Sequence, residues 1–149
     1  MHKAEVGQKV VVVGGGLTGS ELAYDLAAYE HKDVTIVEAL PDILSAGAPV
    51  QKSVNMMLRD LLAVNNVKIR ANTLISAVTD EGAVVLANDG TESVIEADTV
   101  IFAIGLKPNK SYAHDLLDSG IAVYEVGDGK QVANIQLSTS EAYEVTRML

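Results

Sequence analysis

KVVVVGGGLTGSELAYDLAAYEHKDVTIVE, residues 9–38, is the stretch that decides the fold of this chain. It opens with four consecutive valines, a β-branched run that predicts a buried strand. Three glycines follow in the spacing G-x-G-x-x-G, at Gly14, Gly16 and Gly19. The next apolar residues recur with helical spacing, and a second β-branched run then ends at Glu38. Strand, glycines, helix, strand and acid in this order are typical of a dinucleotide-binding βαβ unit.

The spacing gives each of these positions a physical role. Gly14 allows a sharp turn after the strand, Gly16 lets a pyrophosphate approach the backbone, and Gly19 allows close packing of helix and strand. Free amides and the helix dipole favour an anion at the start of the helix. The predicted cofactor-binding residues are Gly14, Gly15, Gly16, Leu17, Thr18 and Gly19, with Glu38 on the adenosine ribose and Ala39 beside it. A glycine-rich turn that binds nothing is the simpler alternative, and the complete pattern disfavours it.

Composition excludes several classes of function. The chain has 149 residues, which predicts one domain, and a net charge of −9 without a basic cluster, which disfavours nucleic-acid and membrane partners. It has no cysteine, and its three histidines show no metal-binding spacing, so we expect neither a metal site nor a catalytic side chain. No signal sequence or membrane-spanning run is visible, so we expect a cytoplasmic protein.

The rest of the chain continues the β-α-β rhythm and then departs from it. A helix with Pro49 at its first position, apolar residues recurring over 50–62 and an end at Asn65–Asn66 leads to a strand at 67–70. Three short β-type runs separated by turn residues predict an antiparallel meander, at 74–78, 83–87 and 93–95. The sequence therefore predicts an α/β, Rossmann-like three-layer fold whose central parallel sheet has a three-stranded meander as one crossover.

Four further elements are expected after the meander: a parallel strand at 98–103, a short helix at 111–118, a strand at 121–126 and a C-terminal helix. The strand at 121–126 needs a partner, either beside 98–103 or across a dimer, which leaves a homo-oligomer open. Ser138 and Glu141 have the spacing of a capping box, although the last helix could instead begin nearer Asn134.

Several motifs in this order resemble the pyridine-nucleotide domain of flavoproteins with two dinucleotide-binding domains. They are VVVVGGGLTGSELA, VTIVEALPDIL, ADTVIFAIGLKPN, VYEVGD and EAYEVTRML. Within that group, the short connection over 109–123 is most similar to the NADH:flavin oxidoreductases related to 2,4-dienoyl-CoA reductase and trimethylamine dehydrogenase.

The resemblance implies an oxidoreductase in which NAD(P)H passes a hydride to FAD, with electrons continuing through an iron–sulfur cluster to FMN in an attached barrel. This chain lacks the cluster cysteines, the barrel and the first FAD-binding unit. It is therefore expected to be a single NAD(P)-binding domain over 1–149, excised from a larger flavoenzyme and inactive alone. Residues 120–149 resemble the returning part of the FAD domain.

The resemblance also assigns residues beyond the glycine loop. Glu21 matches a glutamate near the nicotinamide carboxamide, with an exposed first-turn acid as the alternative. Leu17 stands where some relatives carry an aromatic lid. The A-x-G turn that lies against the cofactor matches Ala103, Ile104 and Gly105.

Asp128 matches an aspartate that binds the ribityl chain of FAD, although without the rest of an FAD domain we expect it to cap a turn. Three functions remain open: an NAD(H)-binding domain, an FAD-binding domain with the same fold, and a stand-alone sensor of NADH or adenine nucleotides. The GLTGSE string favours the first, and the meander argues against the sensor.

NAD(H) is expected to bind in preference to NADP(H). A carboxylate at Glu38 accepts hydrogen bonds from a ribose 2′-hydroxyl and repels a 2′-phosphate. Residues 39–43 provide no cation, and Lys52 is the nearest downstream candidate.

Overall fold

A computed structural model describes residues 4–46, 50–109, 115–117 and 119–149. The chain divides into two compact units, Met1–Ile104 and Gly105–Leu149. Each unit is described by itself, and the assignment of 1–149 to one domain stays a prediction.

The first unit contains the βαβ core and the meander. Its elements in chain order are β1 (Lys9–Val13), α1 (Leu17–Ala28), β2 (Asp33–Val37), α2 (Lys52–Val64), β3 (Lys68–Arg70), β4 (Thr73–Thr79), β5 (Gly82–Ala87), β6 (Glu92–Glu96) and β7 (Thr99–Phe102). Four strands form a parallel sheet in the order β3-β2-β1-β7, and β4-β5-β6 form a separate antiparallel sheet. The meander thus stands between β3 and β7, where a crossover helix is usual.

The two central strands, β1 and β2, are buried on both faces, because their residues point alternately to the two sides of the sheet and both sides are covered. One face packs against α1 and α2 through Val10, Val12, Val34, Ile36, Ala23, Leu26, Leu58 and Leu62. The other face packs against β5 through Val11, Val13, Val37, Ala83 and Val85. Helices, parallel sheet and meander are therefore three layers, which confirms the predicted fold class.

Element boundaries differ from the predictions mainly at helix ends. Helix α2 begins at Lys52, after the N-cap Gln51, rather than at the predicted Pro49, which lies outside the described residues. Among the described residues, no helix is long and apolar enough to cross a bilayer.

The second unit corrects two predictions. Residues 121–126 form no strand, because a strand needs a hydrogen-bonded neighbour and the described part of this unit contains no other strand. Strand β7 pairs with β1 alone among the described strands, so the pairing expected beside 98–103 is not formed. Pairing across a dimer stays a prediction. Residues 115–117 are helical, and most of the predicted helix at 111–118 lies outside the described residues.

Helix α3 (Ile135–Met148) begins at the N-cap Asn134, whose Oδ1 accepts a hydrogen bond from the Leu137 amide at 2.8 Å. The helix therefore starts where the alternative prediction put it, and the Ser138–Glu141 capping box is wrong. The Glu141 carboxylate instead accepts from the Gly127 amide and the Lys130 ammonium, each at 2.8 Å.

Candidate functional site

The chain turns sharply at the carboxyl end of β1. Gly14 has φ +104°, a left-handed conformation that favours glycine, and its amide donates to the Val37 carbonyl at 2.8 Å. A Cβ at this position would lie 2.5 Å from the Ala103 carbonyl oxygen, which follows β7. The first glycine is therefore required by the backbone itself.

Glu38 is buried at the end of β2, with 7% of its surface exposed. Its Oε2 accepts from the Gly15 amide at 2.6 Å, and its Oε1 accepts from the Leu40 amide at 2.8 Å. A carboxylate offers about four acceptor positions, so roughly two remain for a ligand. Glu38 thus holds the glycine loop, a role that the sequence did not reveal, and Ala39 beside it is exposed.

The start of α1 is open to an anion. Gly16 is the N-cap with φ −65°, offers no side-chain cap, and has no atom within 4 Å of where a Cβ would stand. Leu17 and Thr18 follow and are exposed. Because the first amides of a helix have no partner four residues earlier, they and the helix dipole favour an anion at this position.

Gly19 and Ser20 fix the helix against the loop. A Cβ on Gly19 would collide with the Gly14 carbonyl oxygen and lie 3.2 Å from the Ala103 Cβ. Ser20 is fully buried, and its hydroxyl donates to the Gly15 carbonyl at 3.1 Å. Sequence reasoning missed Ser20, although a serine inside an apolar helical face could have indicated it.

The remaining predicted residues divide between the two units. Glu21 is exposed and lies beyond the first turn of α1, so its placement as a first-turn acid is wrong. Ala103 is half-buried beside the glycine loop, and Ile104 is 73% exposed. Gly105 and Asp128 belong to the second unit. Asp128 Oδ1 accepts from the Ala133 amide at 3.3 Å, as a residue that caps a turn does.

A cation does reach the loop after β2. Lys52, the expected candidate, is the exposed first residue of α2. Arg59, about two turns further along the helix, donates to both carboxylate oxygens of Asp42 at 2.9 Å. The Arg59 guanidinium lowers the pKa of Asp42 below its usual value. Sequence reasoning missed Arg59 because its 17-residue separation from Asp42 follows no local pattern.

The fold and the glycine loop together define a Rossmann-like α/β domain with an anion-accepting helix terminus and an acid at the end of the second strand. The profile of the pyridine nucleotide-disulphide oxidoreductase family matches residues 1–142, and the chain belongs to this family of flavin-dependent oxidoreductases, which use FAD and NAD(H).

Similar proteins include a cinnamate reductase of Clostridium sporogenes, 39% identical over 147 residues that cover 99% of this chain and 22% of the relative. An NADH oxidase of Thermoanaerobacter brockii is 32% identical over 139 residues, covering 93% of this chain and 21% of the relative. The structure of a 2-naphthoyl-CoA reductase complex superimposes with a TM-score of 0.79 at 28% identity, covering 95% of this chain and 21% of that one. The chain therefore spans about a fifth of the length of these relatives.

Proposed function

We propose that this chain is the NAD(H)-binding domain of a flavin-dependent oxidoreductase and presents NADH to an FAD held elsewhere in the full-length enzyme. The observation that carries the proposal is that the uncapped start of α1 at Gly16 lies next to the Glu38 carboxylate at the end of β2, which accepts from the Gly15 amide. Helix amides that favour an anion and a carboxylate that accepts from hydroxyl groups, both at one edge of the sheet, fit the pyrophosphate and the ribose of an adenosine diphosphate.

The residues of this chain bind and orient the nucleotide. The amides of Leu17 and Thr18 receive the pyrophosphate, and Glu38 accepts hydrogen bonds from the ribose hydroxyls. Bound NADH supplies the hydride, so no side chain here has to act as a base or nucleophile. Glu21 and Ala103, with Ile104 and Gly105, are assigned to the nicotinamide end of the site.

The full-length enzyme is proposed to be an NADH:flavin oxidoreductase related to 2,4-dienoyl-CoA reductase. Its FAD, FMN and iron–sulfur cluster would belong to flavin and barrel domains outside these 149 residues, since the chain has no cysteine to ligate a cluster. The length of the relatives supports this division, and Asp128 is the residue of this chain assigned to the FAD side.

Calorimetric titration with NADH and NADPH tests the nucleotide assignment. NADH is expected to bind at least about tenfold more tightly, because a 2′-phosphate meets the Glu38 carboxylate at close range. The control variant, Glu38→Ala, is expected to lose most of this preference. Tighter binding of NADPH by the unmodified chain, or unchanged affinities in the variant, would contradict the assignment of Glu38 to the ribose.

A further inference from the structure

The side chain of Arg59 donates four hydrogen bonds, three of them to the loop after β2 and one to Asn55 on its own helix. Its Nε donates to Asn55 Oδ1 at 2.7 Å, and its two Nη atoms donate to the two Asp42 oxygens at 2.9 Å. Nη2 also donates to the Ile43 carbonyl at 2.7 Å. Four of the five N–H donors of the guanidinium are therefore occupied.

This anchored loop lies directly against the glycine loop. Ile43 is fully buried, and its Cγ2 would lie 2.6 Å from a Cβ on Gly15. The Leu44 amide donates to the Gly15 carbonyl at 2.7 Å, with Leu44 in a left-handed conformation at φ +58°. Glu38, whose Oε1 binds the Leu40 amide, begins the same loop. The Arg59 guanidinium, on α2, is thus bound to the loop that begins at Glu38, the proposed ribose-binding acid.

The Asp42 and Arg59 side chains are 61% and 36% exposed, so solvent screens the attraction between their charges. The Asp42 carboxylate occupies the two N–H donors that the Arg59 guanidinium could otherwise offer to a phosphate, since a carboxylate and a phosphate both accept two parallel N–H donors. A 2′-phosphate that approached this guanidinium would have to displace the Asp42 carboxylate and would meet its negative charge.

We propose that Asp42 determines nucleotide selectivity by keeping Arg59 paired, so that Arg59 anchors the loop and cannot receive a 2′-phosphate. The inference rests on the proposed function and adds a second determinant to Glu38. Asp42 disfavours NADPH because it keeps the Arg59 guanidinium from binding the 2′-phosphate, whereas Glu38 disfavours it by direct repulsion.

The test is calorimetric titration of NADH and NADPH into the unmodified chain and four variants. Asp42→Ala removes the partner of Arg59, and Asp42→Asn removes its charge and one of its two acceptor oxygens while keeping its shape. The double variant Asp42→Ala/Arg59→Met removes the cation as well. Asp60→Ala is the matched control, because it removes the same charge from an exposed position next to Arg59 on α2.

We expect the ratio of the NADPH Kd to the NADH Kd to fall about tenfold in Asp42→Ala, the size of one charge-assisted contact. The same ratio should also fall in Asp42→Asn, and in the double variant it should return to the value of the unmodified chain. An unchanged ratio in both Asp42 variants would overturn the inference. An equal fall of the ratio in Asp60→Ala or in the double variant would overturn it too. In each case NADH binding by the unmodified chain would leave the proposed function intact. Failure of the unmodified chain to bind NADH would overturn both.

Discussion

Gly14 and Gly16 lie two residues apart in one loop, yet a methyl group added at each meets different surroundings. At Gly14 it meets the Ala103 carbonyl and a backbone with φ +104°. At Gly16, with φ −65°, it meets open space where the phosphate is proposed to bind. The first glycine therefore serves the fold, and the second is proposed to serve the ligand.

Alanine at the two positions is expected to separate stability from binding. Gly14→Ala should lower the free energy of unfolding by at least about 2 kcal/mol, since it combines a backbone clash with a disfavoured φ. Gly16→Ala should cost less than about 1 kcal/mol and weaken NADH binding at least about tenfold by blocking the pyrophosphate. Urea unfolding and calorimetry measure the two effects. Equal loss of stability in both variants, or normal NADH affinity in Gly16→Ala, would contradict this account.

At the scale of elements, Glu141 joins α3 to the turn at Gly127–Gly129. The Lys130 ammonium is the main cause, and the Gly127 amide a second one, of a Glu141 pKa below the usual 4.5. A carboxylate whose pKa is lower in the folded chain stabilises it above the unfolded value. That contribution is lost as the pH falls below 4.5 and through the lowered pKa.

The exchange protection of the Gly127 amide should therefore decrease as the pH falls below 4.5, beyond the change expected for an unstructured peptide. In Glu141→Gln the protection should be lower at neutral pH and should not change with pH in this way, because the glutamine amide carries no titratable charge. The amide of Gly14, which donates to the Val37 carbonyl, serves as an internal reference in the first unit. Equal, pH-independent protection in both proteins would show that the Glu141 contact does not hold the turn.

Elements were predictable where the sequence carries a local pattern. The valines of β1 are buried on both faces of a parallel sheet, and the turn residues at 80–82 and 88–90 separate the strands of the meander as predicted. The prediction of a strand at 121–126 was wrong, because β structure depends on a neighbouring strand as well as on composition. The Ser138–Glu141 spacing failed because the helix begins at Asn134, so that Ser138 lies inside the helix, and the Glu141 carboxylate binds Gly127 and Lys130 instead.

The site was predictable to the same extent. Spacing identified the glycines and Glu38, because a turn, an uncapped helix and a strand end follow from local sequence. The burial of Glu38, its bonds to the amides of Gly15 and Leu40, and the reach of Arg59 to Asp42 all depend on tertiary packing. Contacts of this kind leave no periodic signal in the sequence.

At the scale of the whole molecule, the chain is about a fifth of its relatives and is expected to hold one substrate without the acceptor. Purified chain should be colourless and should oxidise NADH no faster than background, since the flavin supplies the electron chemistry. Visible absorbance and NADH consumption, with and without added FAD, measure this. Stoichiometric flavin in the purified chain would instead favour an FAD-binding domain, and turnover without flavin would contradict the proposed division of labour.

The most direct test of the central claim is an NMR titration of the 15N-labelled chain with NADH. The account predicts saturable shifts of the amides of Gly16, Leu17 and Thr18, together with that of Ala39 beside the ribose acid. Gly16→Ala serves as the control and should need at least about tenfold more NADH to reach the same shifts of Leu17, Thr18 and Ala39. Shifts confined to the residues around Asp128, or no saturable shift at any concentration, would contradict the proposal that the glycine loop of this chain holds NADH.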